Sequence, residues 1–119
     1  MSRARFLICA ATVAAAMLAS PLAWSQAKPQ RIEISAKRFS YSPGEITVKK
    51  GQPVTIVLKS QDVAHGLRLR DFGVNIRVKA GGTGEATFTP DKVGDFTGHC
   101  SVFCGSGHGS MTFTVHVVA

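Results

Sequence analysis

Hydrophobic and polar residues alternate in short runs along most of the chain after residue 27. Ile32 and Ile34 alternate with polar neighbours, residues 54–58 form a mostly apolar run, and residues 111–118 place apolar side chains on one face. Glycine and proline separate these runs, and no stretch of useful length has a helical period. Alternation with a period of two, interrupted by regular turn signals, is typical of an antiparallel β-sandwich or barrel. We therefore predict one all-β domain of about seven or eight short strands.

The first 27 residues have a different pattern. Arg3 and Arg5 precede an uncharged apolar run over residues 6–19, and Ser25 and Ala27 place small residues before a possible cleavage site. These are the parts of a secretory signal peptide. Because the run is shorter than the roughly 20 residues that span a bilayer, cleavage is favoured over a permanent membrane anchor. We predict a signal peptide at residues 1–27, a domain at residues 28–119 and export to the periplasm.

The chain is basic, with 14 Lys and Arg residues against 7 Asp and Glu residues. The positive charges are spread out, and no run of five or more basic residues suggests a nucleic-acid-binding arm. We interpret the basic pairs as surface charge that could also dock an acidic partner: Lys37-Arg38, Lys49-Lys50 and Arg68/Arg70.

Four side chains with soft or borderline donor atoms are concentrated in residues 100–111. Cys100, Cys104, His108 and Met111 follow the spacing C-x3-C-x3-H-x2-M. Thiolate, imidazole and thioether donors together select copper, and His/Cys sites with a weak axial Met are the usual electron-transfer form. The loop supplies one histidine, so a second must come from elsewhere, and His65 is the best candidate because a β-sandwich presents such loops at one end.

The number of donors favours two metal ions over one. A mononuclear site needs one Cys, two His and one Met, which leaves Cys100 unused. Two thiolates that bridge two metals need one terminal histidine for each metal, and His65 and His108 meet that requirement.

The same residues resemble the CuA motif of cytochrome c oxidase subunit II and nitrous oxide reductase. The match includes the loop donors, residues 62–66 (DVAHG), residues 73–78 (GVNIRV) and residues 80–82 (AGG). It covers most of the predicted domain and implies the cupredoxin fold, a Greek-key β-sandwich or barrel.

The resemblance also implies a role for each donor. Cys100 and Cys104 would bridge two copper ions, with His65 and His108 as terminal ligands. Met111 would be a weak axial ligand to one copper, and the Val102 carbonyl would be the axial ligand to the other.

Three features depart from this family. Subunit II carries two membrane helices before the domain, whereas this chain has only the signal-like segment. Subunit II has a tryptophan-containing patch that receives electrons from cytochrome c, whereas the only tryptophan here is Trp24. Subunit II docks a basic cytochrome c through acidic side chains, whereas this chain is basic. The implied partner is thus a redox protein, such as a c-type cytochrome or an oxidase, with its identity left open.

Each candidate ligand has a simpler alternative. Cys100 and Cys104 could form a disulfide in an oxidising compartment, which remains a plausible copper-free state. His65 could be a surface or hydrogen-bonded core histidine, and Met111 could serve only core packing. The matching His108 and Met111 favour metal binding by the cysteines, and the surrounding resemblance favours His65 as a ligand. For Met111 we favour the axial role.

Three further residues are predicted to lie outside the ligand set. We expect His99 to be a solvated loop histidine and His116 to be exposed on the polar face of the last strand. Phe103, inside the loop, is predicted to pack against the end of the sandwich and to shield the copper ions.

Three functions are compatible with these residues. Electron transfer ranks first, because the predicted copper ions would already have filled coordination positions. A periplasmic copper chaperone that supplies an oxidase ranks second. An enzyme with an open copper site ranks third, because such a site would need a carboxylate ligand and the loss of one cysteine, whereas His65 and both cysteines are present. By itself the chain is predicted not to be an enzyme; within a cytochrome c oxidase-like complex it would be the electron-entry module.

Overall fold

The computed structural model describes residues 28–119, so the predicted signal peptide lies outside the described residues. Within that range the chain forms nine β-strands and two short 3-10 turns, Arg70–Phe72 and His108–Ser110. The strands are β1 (Gln30–Lys37), β2 (Ser40–Ser42), β3 (Glu45–Lys49), β4 (Val54–Ser60), β5 (His65–Leu69), β6 (Val74–Val78), β7 (Thr83–Phe88), β8 (Gly94–His99) and β9 (Thr112–Val118). No helix in the described range has the length and apolar character needed to cross a membrane.

The strands form two sheets that pack face to face. The first has the order β2-β1-β4-β7 and the second has the order β3-β9-β8-β5-β6. Two neighbouring pairs, β1 with β4 and β3 with β9, are parallel, and the other pairs are antiparallel. The predicted all-β sandwich is confirmed.

The strand count exceeds the prediction of seven or eight. The short strand β2 pairs with β1 through Ser35↔Ser42, Ala36↔Tyr41 and Lys37↔Ser40. Only Tyr41 of β2 is buried. A three-residue strand with one inward side chain carries no detectable alternation, because period two needs about four residues to be visible.

The core lies between the two sheets and explains the alternation of the sequence. Inward side chains of both sheets form one hydrophobic cluster, which includes Ile34, Ile56, Leu58, Leu67, Phe113 and Val115. The start of β4 is buried on both faces, since Thr55 and Val57 on its other face are also more than nine-tenths buried. This strand lies between β1 and β7, which accounts for its mostly apolar sequence.

Three strand ends meet at one end of the sandwich. Strand β5 begins at His65, β8 ends at His99 and β9 begins at Thr112. The connection between β8 and β9 therefore carries residues 100–111 across this end. The backbone N–H of Cys100 donates to the carbonyl of Met111 at 3.3 Å, which fastens the two ends of the loop together.

Candidate metal centre

The loop over residues 100–111 is held compact by its own backbone hydrogen bonds. The N–H of His108 donates to the Gly105 carbonyl at 3.1 Å, and the N–H of Met111 donates to the His108 carbonyl at 3.3 Å. These bonds form the 3-10 turn that places His108 and Met111 on the same side as the preceding cysteines.

Phe39 packs against the glycine-rich part of the loop. A Cβ atom on Gly107 would lie 2.5 Å from two carbons of the Phe39 ring, and one on Gly105 would lie 2.9 Å from the same ring. Gly105 also has φ +135°, a conformation that side chains rarely adopt. Both positions therefore require glycine for the loop to pass this close to the aromatic ring.

The sulfur atoms of Cys100 and Cys104 lie 3.6 Å apart, and both thiols are free. A disulfide would need about 2.05 Å between sulfurs. The Val102 carbonyl oxygen lies 3.0 Å from the Cys100 sulfur. On the other side, His108 Nδ1 and Met111 Sδ lie 3.7 and 3.8 Å from the Cys104 sulfur. The two thiols thus lie between the Val102 carbonyl on one side and the His108 and Met111 side chains on the other.

His65 reaches the same place from β5. Its side chain is fully buried, and a ring nitrogen lies with the sulfurs of Cys100 and Cys104 in a group whose ligand atoms are all within 4.8 Å of one another. The fold therefore brings the His65 imidazole to two thiols although His65 lies 35 positions before Cys100 in the sequence.

A hydrogen bond determines which nitrogen of His65 is free to bind a metal ion. His65 Nε2 lies 2.6 Å from Oδ1 of Asp62. Hydrogen bonds from the backbone N–H of Arg38, from the His65 ring and from the N–H of Val63 lower the pKa of Asp62 to about 2. The carboxylate is thus ionised at neutral pH and can only accept, so Nε2 carries the proton and a neutral ring leaves Nδ1 with a free lone pair.

The thiols are in a low-polarity environment. Burial, and then the neighbouring Cys100, raise the pKa of the Cys104 thiol above its usual range. Burial and the nearby cysteines also raise the pKa of Tyr41, whose hydroxyl donates to the Gly66 carbonyl. A buried thiolate is costly without a cation, and a bound metal ion supplies that positive charge.

The residues fit a copper centre on their own chemistry. Among the described residues, His65 Nδ1 is buried without a hydrogen-bond partner, so its lone pair is free to bind a metal ion. Sulfur, imidazole and thioether donors, with a carbonyl oxygen at one side, suit copper better than hard cations, which prefer oxygen ligands.

The structure places all six predicted site residues at one end of the sandwich: His65, Cys100, Val102, Cys104, His108 and Met111. Their roles as ligands remain predictions. Met111 is fully buried, and this position is compatible both with core packing and with a role as an axial ligand.

The prediction for Phe103 was wrong. Its side chain is 78% exposed, and its ring centroid lies 5.8 Å from that of His108. Phe39 occupies the position against the loop that was expected for Phe103, because the Phe39 ring fills the space over the two glycines.

Sequence reasoning also missed the contributions of Asp62 and Tyr41. Asp62 lies three residues before His65, which is a spacing that allows a side-chain hydrogen bond, but nothing in the sequence indicates its direction. Tyr41 lies on a strand that the alternation did not reveal. His99 is exposed as expected, but it is the last residue of β8 rather than a loop residue. His116 is half-buried rather than exposed, because it lies between Asp95 and Glu45, at 2.6 and 3.0 Å.

Comparison with known proteins identifies similar chains. The sequence model described as "Cupredoxin-like domain" matches residues 7–113. Cytochrome c oxidase subunit 2 of Thermus thermophilus is 29% identical over 86 residues, which cover 72% of this chain and 64% of that protein. Nitrous-oxide reductase of Ralstonia nicotianae is 33% identical over 88 residues, 71% of this chain and 14% of the enzyme. The chain thus spans less than two thirds of these relatives.

A solved structure has the same fold. The periplasmic domain of subunit II of cytochrome oxidase (CoxB) of Bradyrhizobium japonicum superposes with a TM-score of 0.69 and 24% identity. The superposition covers 75% of this chain and 83% of that domain. At this identity the likeness shows the fold.

Proposed function

Because the chain belongs to the cupredoxin-like family, we propose that it is an exported electron-transfer protein with a binuclear, CuA-like copper site. It would act as a soluble carrier or as a detached module like oxidase subunit II. The observation that supports this proposal best is the arrangement of Cys100 and Cys104, 3.6 Å apart with His65 and His108 available as one imidazole for each metal.

Each residue has a distinct part in holding the metal pair. Cys100 and Cys104 would provide the two bridging thiolates, and His65 and His108 the terminal imidazoles. The Val102 carbonyl, next to the Cys100 sulfur, and Met111, next to the Cys104 sulfur, would supply weak axial donors. The bound copper pair would supply reversible uptake of one electron.

The protein framework suits this chemistry because it holds the donors in place. Cys100, Cys104 and Met111 are buried, and His65 is oriented by Asp62. A site whose polar groups are fixed in advance needs little reorganisation when its charge changes. With the donor positions filled, no open coordination position remains for a substrate, which argues against an enzyme.

The proposed export rests on the signal-like pattern of residues 1–27. The similar Bradyrhizobium japonicum structure is a periplasmic domain, which is consistent with export. The partner would be a redox protein such as a c-type cytochrome or an oxidase, since the Thermus thermophilus relative is an oxidase subunit.

Metal analysis and EPR of copper-loaded residues 28–119 test the proposal. We expect about two copper ions per chain and a mixed-valent signal whose hyperfine pattern is split by both nuclei. One copper ion per chain with a simple four-line pattern would refute the binuclear site.

Copper delivery to an oxidase is the alternative function. Chaperones need exposed donors that release metal, whereas Met111, the single methionine after residue 27, is fully buried. The two functions predict different results when the copper-loaded domain is mixed with a reduced cytochrome and, separately, with a copper-free acceptor protein. Rapid metal transfer without electron transfer would favour delivery.

A further inference from the structure

A basic cleft lies beside the candidate metal centre on the outer face of the second sheet. Arg68 of β5 pairs in register with His99 of β8, and Arg77 of β6 pairs with Gly66 of β5. Together with Arg70, these side chains line a cleft of about 510 Å³ that also reaches Cys100. We call this surface, defined by Arg68, Arg70, Arg77 and His99, the arginine cleft.

The arginines of this cleft have no anionic partner in the described part of the chain. Within residues 28–119, none of the three forms a salt bridge or a side-chain hydrogen bond. Asp71 is the single acidic residue that lines the cleft. A guanidinium group carries five N–H donors in a fork that matches a carboxylate, so three unpaired guanidinium groups offer strong recognition of carboxylates.

Two acidic groups elsewhere on the same sheet have a partner. Glu45 of β3 and Asp95 of β8 are both engaged by His116 of β9. Glu45 and Asp95 are thus already engaged by a side chain, whereas within the described range the arginines of the cleft are not. Arg31, on the other sheet, already pairs with Glu85 at 3.2 Å. In the part of the chain that the structure describes, Arg68, Arg70 and Arg77 therefore form a group of three unpaired guanidinium groups next to the metal centre.

The shape of the surface favours a protein over a small anion. A second hollow of about 480 Å³ adjoins the arginine cleft and shares Arg68 and Arg70 with it. Two open, connected hollows form an extended surface, whereas small-molecule sites are usually concave enough to enclose most of their ligand. Because Cys100 lines the cleft, a partner seated there would lie next to a proposed copper ligand.

We propose that the arginine cleft docks the acidic face of the protein redox partner. Carboxylates of the partner would pair with Arg68, Arg70 and Arg77, and this pairing would bring the partner's redox group towards Cys100. The proposal rests on the proposed electron-transfer function and names the charge of the partner and the place where it binds.

The binding test uses a basic c-type cytochrome and the same cytochrome with its lysines succinylated, which reverses its charge. Binding of each probe to the chain is measured by titration, without any need for electron transfer. The double variant Arg68→Glu/Arg77→Glu is compared with Lys49→Glu/Lys59→Glu, which changes the net charge equally at exposed sites outside the cleft. Arg68→Gln/Arg77→Gln serves as a milder second variant.

We expect the succinylated cytochrome to bind more tightly than the basic one, with an affinity that falls as salt shortens the Debye length to roughly 8 Å at physiological ionic strength. The Arg68→Glu/Arg77→Glu variant should lose about tenfold or more in affinity, and the lysine control less than about threefold. Equal losses in the two variants, or tighter binding of the basic cytochrome, would overturn the proposal.

Electron transfer is then measured separately with the copper-loaded chain. If the succinylated cytochrome binds through the arginine cleft but exchanges no electrons, the docking surface stands and the proposed function fails. If electrons pass equally fast in the wild type and in the cleft variant, while the lysine control is also unchanged, the docking proposal fails and the electron-transfer function stands.

Discussion

Replacing Asp62 with Asn tests how the protein prepares His65 for a metal. The carboxylate receives three hydrogen bonds: from the His65 ring at 2.6 Å, from the Val63 N–H at 2.7 Å and from the Arg38 N–H at 2.9 Å. The first two go to Oδ1 and the third goes to Oδ2. Asparagine has the same shape but only one acceptor oxygen, so one of these places must receive an NH₂ group.

Either orientation of the asparagine is unfavourable. With its NH₂ towards Arg38, two donors face each other and the backbone N–H loses its acceptor. With its NH₂ towards His65, the ring nitrogen Nε2 must accept, which moves the ring proton to Nδ1 and blocks the nitrogen that is otherwise free to bind the metal ion. Removal of a carboxylate that orients a ligand histidine typically costs 10–100-fold in metal affinity. This corresponds to about 1.4–2.7 kcal/mol.

The assay is competition for copper against a chromophoric chelator at neutral pH, combined with ¹⁵N NMR of the His65 ring in the copper-free protein. Asp91→Asn is the matched control, because it makes the same charge change at an exposed position that has no such contact to a candidate ligand. We expect Asp62→Asn to lower copper affinity 10–100-fold and to reduce the fraction of the Nε2–H tautomer, with little effect of Asp91→Asn. Copper affinity within about threefold of the wild type would refute the reasoning, as would an Nδ1–H tautomer in the wild type.

Three further predictions concern other parts of the molecule. Cys100→Ser should give a mononuclear site, since one thiolate, two imidazoles and a thioether remain; two copper ions with an unchanged spectrum would show that Cys100 is not a bridge. Gly107→Ala should cost about 1–3 kcal/mol, because the new methyl group meets the Phe39 ring, and Phe39→Leu should recover part of this loss in a double-mutant cycle measured by urea unfolding. The carboxylates of Glu45 and, to a lesser extent, Asp95 raise the pKa of His116 above its usual value of 6.5. Their stabilising effect is therefore fully present below about pH 6.5, and it is lost as the pH rises through the pKa that His116 has in the folded protein. His116→Asn should remove this dependence from the urea midpoint, and a His116 pKa of 6.5 or lower by NMR would contradict it.

The fold class could be predicted from the sequence because alternation is a local property. Each strand that packs one face against the core needs apolar residues at every second position, and this pattern survives without knowledge of the partners. The short strand β2 escaped detection because its assignment depends on pairing with β1 rather than on its own pattern. The pairing order of the strands is likewise a tertiary property.

The sequence by itself determined the chemistry of the loop donors. Cys100, Cys104, His108 and Met111 lie within twelve residues, so their spacing limits how far apart they can be in any fold. Their donor types indicate copper without any structural information. His65 could be nominated only through donor number and resemblance, since 35 residues separate it from Cys100.

Only the tertiary structure decided how this centre is supported. The packing of the two sheets brings β5 under the loop, aims the Asp62 carboxylate at His65 and fills the space above the loop glycines with Phe39, which leaves Phe103 exposed. It also aligns Arg68 and Arg77, nine residues apart, on one outer face beside Cys100. These contacts join residues that are distant in sequence. The orientation of the side chains depends on how they pack at one end of the sandwich, and the local periodicity of the sequence does not contain that information.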